Sequence, residues 1–191
     1  MFCINIFAQD VLIGTYQDSN SGSHNVVVRL KDDSRKIDCV YVSVSSTIGG
    51  GYYRIDSKNL SEFTDALRIV KAKFEEWTAQ AHDNNITTFT KQISVNFPKV
   101  TIYLSGKANF NFSQKPNALF QVENGNPCLW IYASTSTNLT KYNNKKVVFS
   151  MLFDNPADMD GLLALLKDEA TILQLSHKRL QDETKIDDLF Q

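Results

Sequence analysis

Apolar and polar residues alternate along most of the chain from the N-terminus to Asp56, the period-two pattern of strands with one buried face. Phe2, Ile4 and Ile6 alternate with Cys3 and Asn5, and Val11 to Tyr16 forms a second short apolar run. Asp18 to Asn25, rich in Ser, Asn and Gly, is expected to be a loop. Val26, Val28 and Leu30 then alternate with Val27, Arg29 and Lys31, which puts the two bases on the face opposite the apolar set. After a turn over Lys31 to Arg35, Val40, Val42 and Val44 point one way while Cys39 and Tyr41 point the other. Gly49 to Gly51 makes a loose turn into Tyr52 to Ile55, with Tyr53 and Ile55 inward and Tyr52 and Arg54 outward.

The period then changes. Leu60, Phe63, Leu67, Val70, Phe74 and Trp77 recur every three or four residues, the single apolar stripe of an α-helix ending near Gln80. Asp56, Ser57 or Asn59 is placed to cap its start. Beyond the linker His82 to Asn85, strand patterns return. Phe89, Ile93, Val95 and Phe97 share a face on which Lys91 also falls, so Lys91 is expected at an edge or a bulge. Even positions from Val100 to Phe112 are mostly apolar and predict one long two-faced strand. Asn124-Gly125 between two apolar runs predicts a tight hairpin, in which Leu129, Ile131 and Ala133 face inward and Trp130 and Tyr132 outward. Val147, Phe149, Met151 and Phe153 alternate inward; Asn155-Pro156 then opens a second helix expected to run to about Gln181.

The order of strands followed by a helix therefore occurs twice. It predicts an α+β fold, a duplicated unit of antiparallel β-sheet followed by one long amphipathic helix. The units span residues 1–82 and 83–181, packing as one pseudo-symmetric domain, with an acidic tail over 182–191. This layout resembles that of the Whirly and Pur-alpha families of single-stranded nucleic-acid binders. Tyr52-Tyr53-Arg54-Ile55 leading into Leu60 to Leu67 looks like the end of a Pur-type repeat. Ser105-Gly106-Lys107-Ala108 is similar to the lysine-glycine-lysine-alanine segment of Whirly proteins, with Ser105 in place of the first lysine. The resemblance implies a sheet surface that binds single strands and helices that mediate self-association, hence a homo-oligomer.

Charge distribution sharpens that expectation. The whole chain carries a net charge of -1, but Ile86 to Phe153 holds seven lysines and one acid, Glu123, beside most of the aromatic residues. From Asp154 onward there are nine acids against four bases. The outward set assembled from strand alternation is Arg29, Lys31, Tyr41, Tyr52 and Arg54 from the first half, and Tyr103, Lys107, Trp130 and Tyr132 from the second. Exposed rings beside cations suit base stacking and phosphate contact with single-stranded DNA or RNA. The alternative is a structural or protein-interaction module whose aromatic sheet face meets another protein, since Tyr and Trp are also good strand formers. A pocket for a small apolar molecule under a curled sheet is a third reading.

The remaining chemistry is sparse. Cys3, Cys39 and Cys128 lack CxxC spacing and read as buried thiols of an intracellular, reducing compartment. His24 and His82 fall in expected loops and His177 near a helix end, an arrangement of solvated side chains with no metal site implied. No G-x-S-x-G, phosphate-cradling glycine loop or HExxH motif is present, so neither catalysis nor a cofactor is expected. No apolar run is long enough for a membrane span. At the C-terminus, Asp187-Asp188-Leu189-Phe190 resembles the acidic tips by which many single-stranded DNA-binding proteins recruit partners, although Gln191 follows it.

Overall fold

The computed structural model describes residues 9–19, 22–31, 35–104, 111–135 and 147–189. Alternation builds the first half as an antiparallel meander: β1 (Gln9–Asp18), β2 (Gly22–Leu30), β3 (Ile37–Ser46) and β4 (Gly49–Asp56). Val26, Val28, Leu30, Val40, Val42, Val44, Tyr53 and Ile55 supply its buried face. A 3-10 turn over Ser57 to Asn59 leads into α1 (Leu60–Asp83). The stripe from Leu60 to Phe74 is buried and Trp77 is half-buried. No side chain caps the helix start, contrary to the expected role of Asp56, Ser57 or Asn59.

The second half supplies β5 (Thr88–Ile93), β6 (Val100–Leu104), β7 (Asn111–Gln114), β8 (Asn117–Glu123), β9 (Asn126–Thr135) and β10 (Val147–Phe153). The expected long strand over Val100 to Phe112 is a hairpin, because Ile102 pairs with Phe112 and Tyr103 with Asn111. Both partners of that inward pair carry even numbers, so the sequence alternation reads the same on the two strands. Asn124 and Gly125 take φ values of 51° and 81°, the left-handed geometry of the expected two-residue turn between β8 and β9.

Among the described residues, the ten strands belong to one sheet. Along it the order is β5, β8, β9, β10, β3, β4, β6, β7; β2 pairs with β3 and carries β1. The β6–β7 hairpin of the second half extends the first half's sheet at β4. On its other side β3 meets two strands in succession: β2 from Ile37 to Val42, then β10 at Ser45 and Ser46. The sheet therefore forks beside Ser43. Backbone groups freed there are taken by side chains, as buried polar groups require: Tyr16 donates to the Ser43 carbonyl at 2.6 Å, and Asp18 accepts from the Leu152 N–H at 2.8 Å.

His24 belongs to this closure. It lies in β2, 7% exposed, its ring stacked on Tyr16 at 5.2 Å and 3.8 Å from Asp18. The loop expected from Asp18 to Asn25 is thus mostly strand, and His24 is not solvated: its polar ring is accommodated by a carboxylate and a hydroxyl at the fork. His82 lies in the last turn of α1, two residues beyond the expected helix end, and is exposed.

The helices pack on the inner side. Phe63, Leu67, Val70 and Phe74 of α1 join the same core as the inward residues of both parts of the sheet. The second helix is two helices, α2 (Met159–Leu165) and α3 (Glu169–Leu189). Asn155 caps the entry as expected, accepting from the Ala157 N–H at 2.9 Å. The helix then stops because α1 captures carbonyls at its end: Thr64 Oγ1 lies 3.0 Å from the Leu166 oxygen and Arg68 donates to Lys167 at 2.8 Å. Asp168 restarts it by accepting from the Thr171 N–H at 2.7 Å, a bond that holds its carboxyl below the usual range. The last turns pass the expected end at Gln181, so most of the expected tail is helix. Among the described residues no helix is long and apolar enough to cross a membrane.

Candidate nucleic-acid interface

Strand parity decides which side chains share the side away from the helices. In β3 the outward residues are Tyr41, Ser43 and Ser45; their partners in β4 are Arg54, Tyr52 and Gly50. Across β4, Tyr52 meets Tyr103 of β6 and Arg54 meets Thr101. On the other side of the fork Ser45 pairs with Ser150 of β10, which pairs with Tyr132 of β9. Trp130 is two residues along β9 on the same side, between Leu119 and Leu152. Strand pairing is continuous across the fork, although Ser150 itself is buried, and Tyr41, Tyr52, Tyr103, Trp130 and Tyr132 all stand on the outward side, each half-buried. Tyr41 and Tyr103 are in edge-on contact at 6.3 Å.

The first-half cations stand on this face with partners of their own. Arg29 makes a two-point contact with Asp10, at 2.7 Å for both nitrogens, and its guanidinium lies 5.1 Å from the centre of the Tyr41 ring. Arg54 approaches Asp56 at 3.1 Å and Asp38 at 3.4 Å. Two arginines thus stand among three aspartates. Hydrogen bonding to Asp10 strengthens the hold of Arg29 on its proton, and contact with Cys39 does the same for Arg54. Cys39 is buried beneath them, and burial pushes its thiol up. Burial likewise raises the Tyr41 hydroxyl.

Two other expected residues have different surroundings. Lys31 follows the last residue of β2 and is exposed. Trp130 lines an open recess with His82, Glu123, Asn126 and Asp154, so its surroundings carry acids rather than the expected bases. Lys107 lies outside the described residues, as does Phe190; for Asp187, Asp188 and Leu189 only the helical backbone is described.

Sequence reasoning missed the carboxylates. Asp56 follows Tyr52 and Arg54 at period two, so alternation alone places it on the outward face. Asp10 is recognised only through the register that sets it opposite Arg29. Among the described residues, no three His, Cys, Asp or Glu side chains are grouped so as to hold a metal ion. Compared with protein-family models, with curated proteins and with solved structures, the chain matches none.

Proposed function

We propose that the outward sheet face binds single-stranded DNA or RNA without catalysis, bases stacking on Tyr52, Tyr103 and Tyr132 and their neighbours Tyr41 and Trp130. The observation that carries this reading is that strand register sets these five rings on the same side of one sheet, in both arms of the fork. Stacking at roughly 1–3 kcal/mol per base is indifferent to sequence, so a sequence-tolerant binder is the function such a face suits. Because Arg29 and Arg54 already hold carboxylates, stacking rather than phosphate contact dominates, and lysines such as Lys31 supply the charge that the arginines do not. The duplicated Whirly-like or Pur-like layout, self-association and an intracellular location belong to the same proposal.

The test is photocross-linking of bromouridine-substituted single strands of about 30 nucleotides, long enough to cross several ring positions, followed by peptide mapping. Adducts on β4, β6 and β9 are the expected result. Adducts confined to other segments exclude the face.

One observation favours a second reading. Asp10, Asp38 and Asp56 beside the rings are unfavourable near phosphates and ordinary at the rim of a protein interface. Under that reading the same rings bind another protein.

A further inference from the structure

Away from the outward face, the end of α1 and the edge of the sheet enclose an apolar recess of about 320 Å³. Its apolar walls are Trp77 and Ala81 of α1, Ile86, Phe89 of β5 and Phe120 of β8, and Gln80 and Asn84 line it as well. The rings are in contact: Trp77 and Phe120 are 5.6 Å apart and Phe89 and Phe120 6.4 Å. Large apolar groups here remain open to solvent, Phe89 at 43% and Ile86 at 38%. Such a volume lies at the lower end of ligand-sized sites and holds one large side chain comfortably.

Two further observations say what kind of group enters. First, β5 is an edge. It pairs through six consecutive residues with β8 and, among the described residues, with nothing on its other side. Five of its six residues are exposed, and it carries neither proline nor bulge to discourage pairing. Second, Lys91 sits at the mouth of the recess with its ammonium 4.8 Å from the centre of the Trp77 ring, and it takes part in none of the described ion pairs. Phe89 and Lys91 are two residues apart and share the side that faces α1, so a strand laid along β5 would present its own alternate side chains there.

We propose that β5 accepts an extended peptide of a partner protein as an additional strand. One large aromatic or aliphatic side chain of the peptide fills the recess, and an acidic residue two positions away meets Lys91. Backbone pairing supplies affinity, while the recess and Lys91 supply selection. This site is on the opposite side of the sheet from the proposed nucleic-acid face and does not depend on it.

The probe is a fluorescein-labelled heptapeptide, Ser-Thr-Phe-Thr-Glu-Thr-Ser, titrated by anisotropy into the full chain. Saturable binding is expected, with at least about a fivefold loss when the peptide's Glu becomes Lys and about a tenfold or greater loss when its Phe becomes Ser. The variant Lys91→Glu is expected to reverse the charge preference and bind the Lys peptide better than the Glu peptide. Since Lys91 is exposed, this variant keeps the fold, which circular dichroism verifies. Hydrogen exchange of the Thr88–Ile93 amides is expected to slow in the complex. No binding at about 1 mM peptide, equal binding of the Phe→Ser peptide, or an unchanged preference in Lys91→Glu overturns the proposal. If N-acetylphenylalaninate binds as tightly as the heptapeptide, or β5 amides exchange at the same rate with and without peptide, the recess takes a small molecule and no strand is added.

Discussion

The Tyr53 hydroxyl donates a 2.6 Å hydrogen bond to the carbonyl oxygen of Phe149, joining β4 to β10 across 96 positions of sequence. Both residues are fully buried. The bond satisfies a carbonyl near the short stretch where β10 meets β3 at only two residue pairs. Tyr53→Phe keeps the ring and removes the donor. A loss of about 0.5–1.5 kcal/mol is expected, the net worth of one buried hydrogen bond, read as a lower urea midpoint with an unchanged slope.

Gly51 lies under the same phenylalanine. A Cβ there would stand 2.6 Å from the Phe149 ring and 2.9 Å from the Tyr103 carbonyl oxygen. The ring has little room, as it also packs on Phe112 at 5.8 Å, and the carbonyl belongs to a paired strand. Gly51→Ala is therefore expected to destabilise by about 1–3 kcal/mol, a lowering of roughly 2–12 °C in Tm for a chain of this size. A melting temperature equal to that of the parent would show that Phe149 moves freely, against the packing described.

Alkaline titration tests the buried hydroxyls together. Burial raises Tyr16 and Tyr53 above the ordinary value of 10.0. The unfolded chain ionises these phenols first and the folded chain keeps them neutral. Their stabilising contribution is thus fully present below that value and is lost as pH rises towards the folded ones. Urea midpoints are expected to be level to about pH 9 and to fall beyond about pH 10, with Tyr16→Phe and Tyr53→Phe flattening the fall. A midpoint that stays level through alkaline pH in the parent would contradict the burial of these groups.

Much of the fold is legible in the sequence because period and burial agree. The α1 stripe, the Asn124-Gly125 turn and the Asn155 cap each follow from a local rule with a local cause. What was hidden depends on distant partners. Ile102 and Phe112, which pair across β6 and β7, both carry even numbers, so by alternation they looked like one strand. The break between α2 and α3 is enforced by Thr64 and Arg68, about 100 positions earlier. His24 looked solvated because the fork that buries it is formed by strands from both halves. Within the candidate face, alternation correctly placed all five rings outward, but the pairing of Arg29 with Asp10 is a fact of register and was invisible in either strand alone.

That pairing separates the rings from the arginines in their effects. Tyr52→Ala and Tyr132→Ala are each expected to weaken single-strand binding by about 1–3 kcal/mol. Arg54→Gln, whose side chain already holds Asp56 and Asp38, is expected to change it by under about 1 kcal/mol. Anisotropy titrations of the three variants at one salt concentration read this order directly, and an arginine effect larger than either tyrosine effect would reverse the assignment of stacking as the dominant contribution.

The central measurement is fluorescence anisotropy of labelled single-stranded DNA and RNA of about 30 nucleotides, with matched duplex, from low salt to about 200 mM. The proposed stacking on this face predicts binding of single strands in preference to duplex, weakening log-linearly with salt at a shallow slope because the arginines are already paired. Absence of single-strand binding at low salt, or equal affinity for duplex, would contradict the account and leave the aromatic face to a protein partner.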